Sequence, residues 1–112
     1  MSGDDMDIRE ITTEEELELC LIGNDRPVAV DIFTSWCLPC QELERTMERV
    51  SLESNALICK LDAEKLPDVA RKYGVEAYPT VVVFSHGKVF KKMVGLCSRA
   101  GIIKVLEDAA NA

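Results

Sequence analysis

Histidine is nearly absent from this chain. His86 is the only one in 112 residues, and the Cys-x-x-Cys at 37–40 has no second copy elsewhere. A four-ligand zinc centre would therefore be short of donors, so no metal site is expected. Nowhere do eighteen apolar residues run together, so no membrane span is expected. The opening "MSGDDMDIRE" has no basic start followed by an apolar stretch, and does not read as a signal peptide. No glycine-rich dinucleotide fingerprint occurs, so no nicotinamide or flavin is expected to bind. Positive charge is also short. Thirteen Lys and Arg face twenty Asp and Glu, a formal charge of −7, which argues against nucleic acid or an anionic membrane as the main partner. It is compatible with docking on other proteins. There is no internal repeat, linker or low-complexity tract.

What is present fits one soluble domain over residues 1–112. Apolar residues make up 47% and charged residues 29%, and the length suffices for a single core without staples. Five cysteines (Cys20, Cys37, Cys40, Cys59, Cys97) are odd in number and irregular in spacing, which does not fit a secreted disulfide framework. A reducing cytoplasm is the expected location, because structural disulfides are rare there. Cys20 and Cys59 read as core. Cys97 reads as a small buried residue at a helix start, or else as an additional redox-sensitive thiol.

The first expected element is "ITTEEELELCLIG". Thr12 and Thr13 each have a Glu three residues on, and Leu17, Cys20 and Leu21 share one helical face. Gly23 ends it and "NDRP" turns. Residues 28–33 are apolar or β-branched at nearly every position, the mark of a buried strand. Leu43, Met47 and Val50 continue the face of Cys40 at helical spacing. "ALICKL" (56–61) is a second short strand. "LPDVARKYG" is a short helix with Pro67 in its first turn and Gly74 at its close. A hairpin follows, from Val81–Phe84 through a turn at 85–87 to a return strand at 88–93. A last amphipathic helix opens at Ser98 and shows Ile102, Ile103, Leu106 and Ala110 on one side. The order α-β-α-β-α-β-β-α implies parallel strands joined by crossover helices, an antiparallel final pair, and helices on both faces of a mixed sheet.

Cys37-Leu38-Pro39-Cys40 falls between a strand and a helix. Unpaired N–H groups and the positive end of the helix dipole stabilise a thiolate there. Pro39 suits an early helical position. Cys40, about one turn in, should be more shielded and able to reach Cys37 for a small cyclic disulfide. A zinc half-site and two plain structural thiols are the competing readings. Trp36 could be core packing, but beside a reactive thiol it also fits a flat apolar docking surface. Asp31 interrupts an apolar strand. It could be a satisfied structural carboxylate or an outward-facing one, yet Val28, Val30 and Ile32 face one way and Ala29 and Phe33 the other. Both faces look covered, so burial is expected, with a raised pKa and the capacity to hold a proton near neutral pH.

"VAVDIFTSWCLPCQ", then "KYGVEAYPTVVVFSHGKV" and "MVG", resembles the thioredoxin family over nearly the whole chain. The resemblance implies the thioredoxin fold, α/β, with a central mixed sheet of four to five strands flanked by helices on both faces. It implies a monomeric protein-disulfide reductase acting through Cys37 and Cys40, with no cofactor of its own. It makes Asp31 the general base and acid for Cys40, and Lys60 a residue that tunes Asp31. It makes Pro79 a cis proline beside the Cys pair, with Trp36, Tyr78, Pro79 and Gly95 in substrate docking, although Gly95 taken alone also fits a plain turn. The implied partners are disulfide-containing proteins and a thioredoxin-reductase-type electron donor. Three positions depart from the family pattern. Leu38 replaces glycine inside the motif, where with Pro39 it would modulate the redox couple. Arg45 replaces a helix-kinking proline, and Tyr78 replaces a smaller residue. A dedicated oxidoreductase for one partner and a non-catalytic interaction module remain the alternative functions.

Overall fold

The computed structural model describes residues 7–23 and 25–112. Asn24 of the expected "NDRP" turn lies outside them. The elements in order are β1 (Ile8–Ile11), α1 (Glu14–Ile22), β2 (Val28–Phe33), α2 (Leu38–Glu53), β3 (Leu57–Asp62), α3 (Pro67–Lys72), β4 (Thr80–Ser85), β5 (Lys88–Val94) and α4 (Arg99–Ala110). The strands form one mixed sheet in the order β1-β3-β2-β4-β5. β1 and β2 run parallel to β3, while β4 runs antiparallel to both β2 and β5.

Two features of the sheet differ from the sequence reading. β1 was not anticipated. It is four residues long, sits at the sheet edge, and buries only Ile11 fully, so it carries little periodic signal. The helical connection through α3 also does not return β4 parallel to β3. Six helical residues span about 9 Å, whereas a six-residue strand spans about 20 Å, so the helix is too short to carry the chain back to the start of the sheet. β4 instead starts from the end at which β2 and β3 finish. That brings residues 78–80 beside the β2–α2 turn.

Local chemistry explains the helix starts. Thr13 caps α1: its side chain accepts from the Glu16 N–H at 3.1 Å, and Glu16 Oε1 accepts from the Thr13 N–H at 2.9 Å. Ser98 caps α4, its Oγ accepting from the Gly101 N–H at 3.0 Å. The β4–β5 hairpin turns on His86 and Gly87, with φ of 52° and 79°, the left-handed pair that matches strand twist in a two-residue turn. α2 is unbroken through Arg45.

The sheet separates two cores. On one face Leu17, Cys20 and Leu21 of α1 and Val69 of α3 pack on Val28, Val30, Ile32 and Phe84. On the other, Leu43, Met47 and Val50 of α2 meet Ile102, Val105 and Leu106 of α4 over Ala29, Ile58, Val81 and Val83. The buried side of α4 runs through Ile102, Val105, Leu106 and Ala109. Ala110, expected on that side, is exposed, and Ile103 is only half-buried, because 102, 105, 106 and 109 track the helical repeat more closely. Cys59 is fully buried. Burial first, and then the neighbouring Cys20, push its thiol up to about 12, and both cysteines are buried in the same core. Because Leu43 has no exposed surface and anchors α2, Leu43→Ala is expected to lose about 2–5 kcal/mol of unfolding free energy in a urea titration.

Candidate active site

α2 begins at the end of β2, and its N-cap is Cys37. The Cys37 Sγ accepts from the Cys40 N–H at 3.2 Å, so one of the orphan donors of the helix start points at the sulfur. Pro39 lies in the first turn, where its missing N–H is not needed. Cys37 and Cys40 are joined by a disulfide, with Cα atoms 5.3 Å apart. Their exposures are 6% and 4%, so the expected difference in shielding is not one of area in this disulfide-bonded form. The two thiols differ in what they face. Cys37 lines an outer groove with Trp36, Leu38, Pro39, Glu76 and Tyr78, and Cys40 lines an inner cavity with Asp31.

The groove is apolar and open. Trp36 and Leu38 are 69% and 75% exposed, so Trp36 is no core residue. The Trp36 and Tyr78 rings meet edge to face at 6.4 Å. Glu64, in the β3–α3 connection, fixes the turn beneath them. Its Oε1 accepts from Ser35 N–H at 3.1 Å and Ser35 Oγ at 2.7 Å. These bonds, with one from the Trp36 side chain, hold the Glu64 carboxyl below its usual range. The Tyr78–Pro79 peptide is cis and Pro79 is buried. Gly95 donates its N–H to the Pro79 carbonyl at 2.8 Å. With φ of 89° it needs glycine for its backbone, and a Cβ there would meet nothing within 4 Å, so the space beside it is open. Cys97 is half-buried, its Sγ donating to the Gly95 carbonyl at 3.4 Å; burial raises its thiol pKa, the opposite of activation.

Asp31 is 1% exposed, on the α2 side of the sheet, in register with Lys60 of β3 and Val81 of β4. It lines a cavity of about 110 Å³ with Thr34, Cys40, Glu44 and Lys60. Asp31 Oδ1 and Thr34 Oγ1 have no hydrogen-bond partner among the described residues. Burial pushes the Asp31 carboxyl up to about 7, against the pull of the Lys60 ammonium and with a further push from Glu44. Lys60 pairs with Glu44 and lies 5.6 Å from the centroid of the Phe33 ring. The structure thus brings Asp31, Lys60 and Cys40 to one cavity, and Trp36, Leu38, Pro39 and Tyr78 to one groove.

Two neighbours escaped the sequence reading. Glu44 lies four residues after Cys40 on α2 and so shares its helical side, a signal that was available. Glu64 reaches Ser35 across 29 residues, and no local pattern announces that contact.

The family model described as Thioredoxin matches residues 9–108. The chain belongs to the thioredoxin family. It is 32% identical over 98 residues to a thioredoxin of Chlorobaculum thiosulfatiphilum, covering 86% of this chain and 91% of that one. To the chloroplastic thioredoxin Y1 of Arabidopsis thaliana it is 34% identical over 99 residues, covering 87% of this chain and spanning 58% of the plant protein. A mutant thioredoxin from Halobacterium salinarum superposes with a TM-score of 0.90 at 27% identity, over 98% of this chain and 96% of that one. Family and bonded cysteine pair together make this chain a thiol–disulfide oxidoreductase of the protein-disulfide-reductase kind.

The raised Asp31 pKa has a consequence for stability. Unfolded, the group titrates near its ordinary value of about 3.9. From there up to about 7 the folded chain keeps a proton that the unfolded chain has lost, so stability falls as pH rises through that window and stays low above it. Asp31→Asn, which never ionises, is therefore expected to match the native chain near pH 4 and exceed it above pH 7. The gap in unfolding free energy should reach up to about 4 kcal/mol, read by urea titration across pH.

Proposed function

We propose that this protein reduces protein disulfides with Cys37 as nucleophile, Cys40 as resolving thiol, and Asp31 as the group that takes the Cys40 proton. The observation that carries this reading is the division of the site, with Cys37 on the open groove and Cys40 on the cavity that holds Asp31. The Cys37 thiolate attacks one sulfur of a substrate disulfide. A mixed disulfide forms, and the other substrate sulfur leaves as a thiolate and takes a proton from solvent. Asp31 then accepts the Cys40 proton, directly or through a water for which the cavity has room. The Cys40 thiolate attacks Cys37 Sγ, the second substrate sulfur leaves and is protonated, and the protein is left with the Cys37–Cys40 disulfide. Two electrons have passed to the substrate, and Asp31 returns its proton to solvent.

Trp36, Leu38 and Tyr78 would form the floor on which the substrate segment lies. The backbone at Tyr78 and the open space at Gly95 would suit an extended chain added as a short strand. Lys60 would tune Asp31. Electrons would return from a thioredoxin-reductase-type donor, and the protein would work as a monomer. A reducing compartment, the cytoplasm in the first place, fits the three cysteines left as thiols. The chloroplastic relative makes a chloroplast the alternative. The exposed Leu38 favours a second reading, a narrower partner range than a general reductase, because it adds a branched apolar side chain to the rim of the groove.

Cys40→Ser should accumulate a mixed disulfide with an oxidised substrate protein, joined through Cys37 and visible by non-reducing electrophoresis and mass spectrometry. Cys37→Ser should form none. Trapping through Cys97 instead would contradict the assignment of the nucleophile.

A further inference from the structure

Asp31 is reached from two sides. The 110 Å³ cavity runs from it to Cys40 and Thr34. A second cavity, of about 260 Å³, runs from it toward Glu10 of β1 and Glu48 of α2. Three residues line both: Asp31, Glu44 and Lys60. The wall between the cavities is therefore made by the buried carboxyl and by the ion pair formed between α2 and β3.

This arrangement gives the Lys60 ammonium a choice of partner. Lys60 sits in register beside Asp31, and a cation this near an unpaired buried carboxylate would hold it ionised and weaken it as a proton acceptor. The Lys60 Nζ instead donates to Glu44 Oε2. Asp31 Oδ1 is left without a partner among the described residues. The charged groups around Asp31 on these walls are Glu44 and Glu48 from α2, Lys60 from β3 and Glu10 from β1. From β4 it is faced by the apolar Val81, and on the active-site side by Cys40.

We infer that Glu44 is a positioning residue for the reduction: by engaging Lys60 at the wall between the two cavities, it keeps Asp31 free to take the proton of Cys40. This rests on the reading of Asp31 as the proton acceptor for Cys40. Glu44 is not assigned a contact with substrate in this reading. It acts through Lys60, and through its own negative charge, which likewise favours the protonated carboxyl. Its side chain is 44% exposed, so replacing it leaves no core cavity and keeps the fold testable.

The test is Glu44→Gln in the full chain, with two readouts across pH. The first is the titration midpoint of the Asp31 carboxyl, followed by 13C NMR of the side-chain carbon. The second is the single-turnover rate at which the reduced protein cleaves an oxidised protein substrate such as insulin. With Glu44 neutral, Lys60 turns its charge on Asp31, and both midpoints should move down by about one pH unit. Glu44→Asp should restore part of the shift. Lys60→Met should move the Asp31 midpoint up. An Asp31 midpoint that stays in place or rises in Glu44→Gln overturns the inference, whatever happens to stability. A midpoint that falls while the rate profile stays put overturns it differently, because Glu44 would still govern Asp31 but Asp31 would not serve Cys40.

Discussion

A carboxyl group kept out of water is the constraint around which this site is arranged. Asp31 lies in the central strand between the apolar Val30 and Ile32, and its desolvation is only partly offset by Lys60. Such a group is costly to keep ionised, and a fold that minimised energy alone would carry valine there. The cavity beneath Cys40, Asp31 Oδ1 and Thr34 Oγ1 without hydrogen-bond partners among the described residues, and the Lys60–Glu44 pair are the surroundings that the proposed proton transfer at Asp31 would use.

The second organising feature is the helix start at Cys37. β2 ends at Phe33 and α2 begins at Leu38, so the turn between them projects the cysteine pair at the edge of the sheet. The antiparallel entry of β4 then delivers Tyr78 and Pro79 to the same edge from the opposite direction. Asp31 on β2, the cysteine pair at the start of α2, and the Tyr78–Pro79 segment before β4 thus meet at one end of one sheet. Glu64 ties the turn to the β3–α3 connection, so the aromatic edge of the groove is held by a contact outside both cysteine-bearing elements.

Much of this was legible in the sequence, and the reasons are local. The apolar run 28–33, the helical spacing of Cys40, Leu43, Met47 and Val50, and the Pro67 and Gly74 punctuation each report a nearby physical demand. Asp31 stood out because both faces of its strand were otherwise apolar, which is why its burial could be expected from one segment. β1 was missed because four edge residues with one buried side chain carry no period, and the direction of β4 because helix length, not helix presence, decides a crossover. The last turn of α4 was placed one residue off, at Ala110 instead of Ala109. Glu64 depends on long-range closure and left no trace in sequence. Glu44 did leave one, four residues from Cys40, but its meaning required knowing that Lys60 faces the same cavity.

The measurement that tests the central claim most directly is the reduction potential of the Cys37–Cys40 couple, by equilibration in thiol buffers followed by alkylation and mass analysis. A protein-disulfide reductase should lie near the thioredoxin value of about −270 mV. A couple at about −180 to −120 mV would act as an isomerase or oxidant, and would contradict the account.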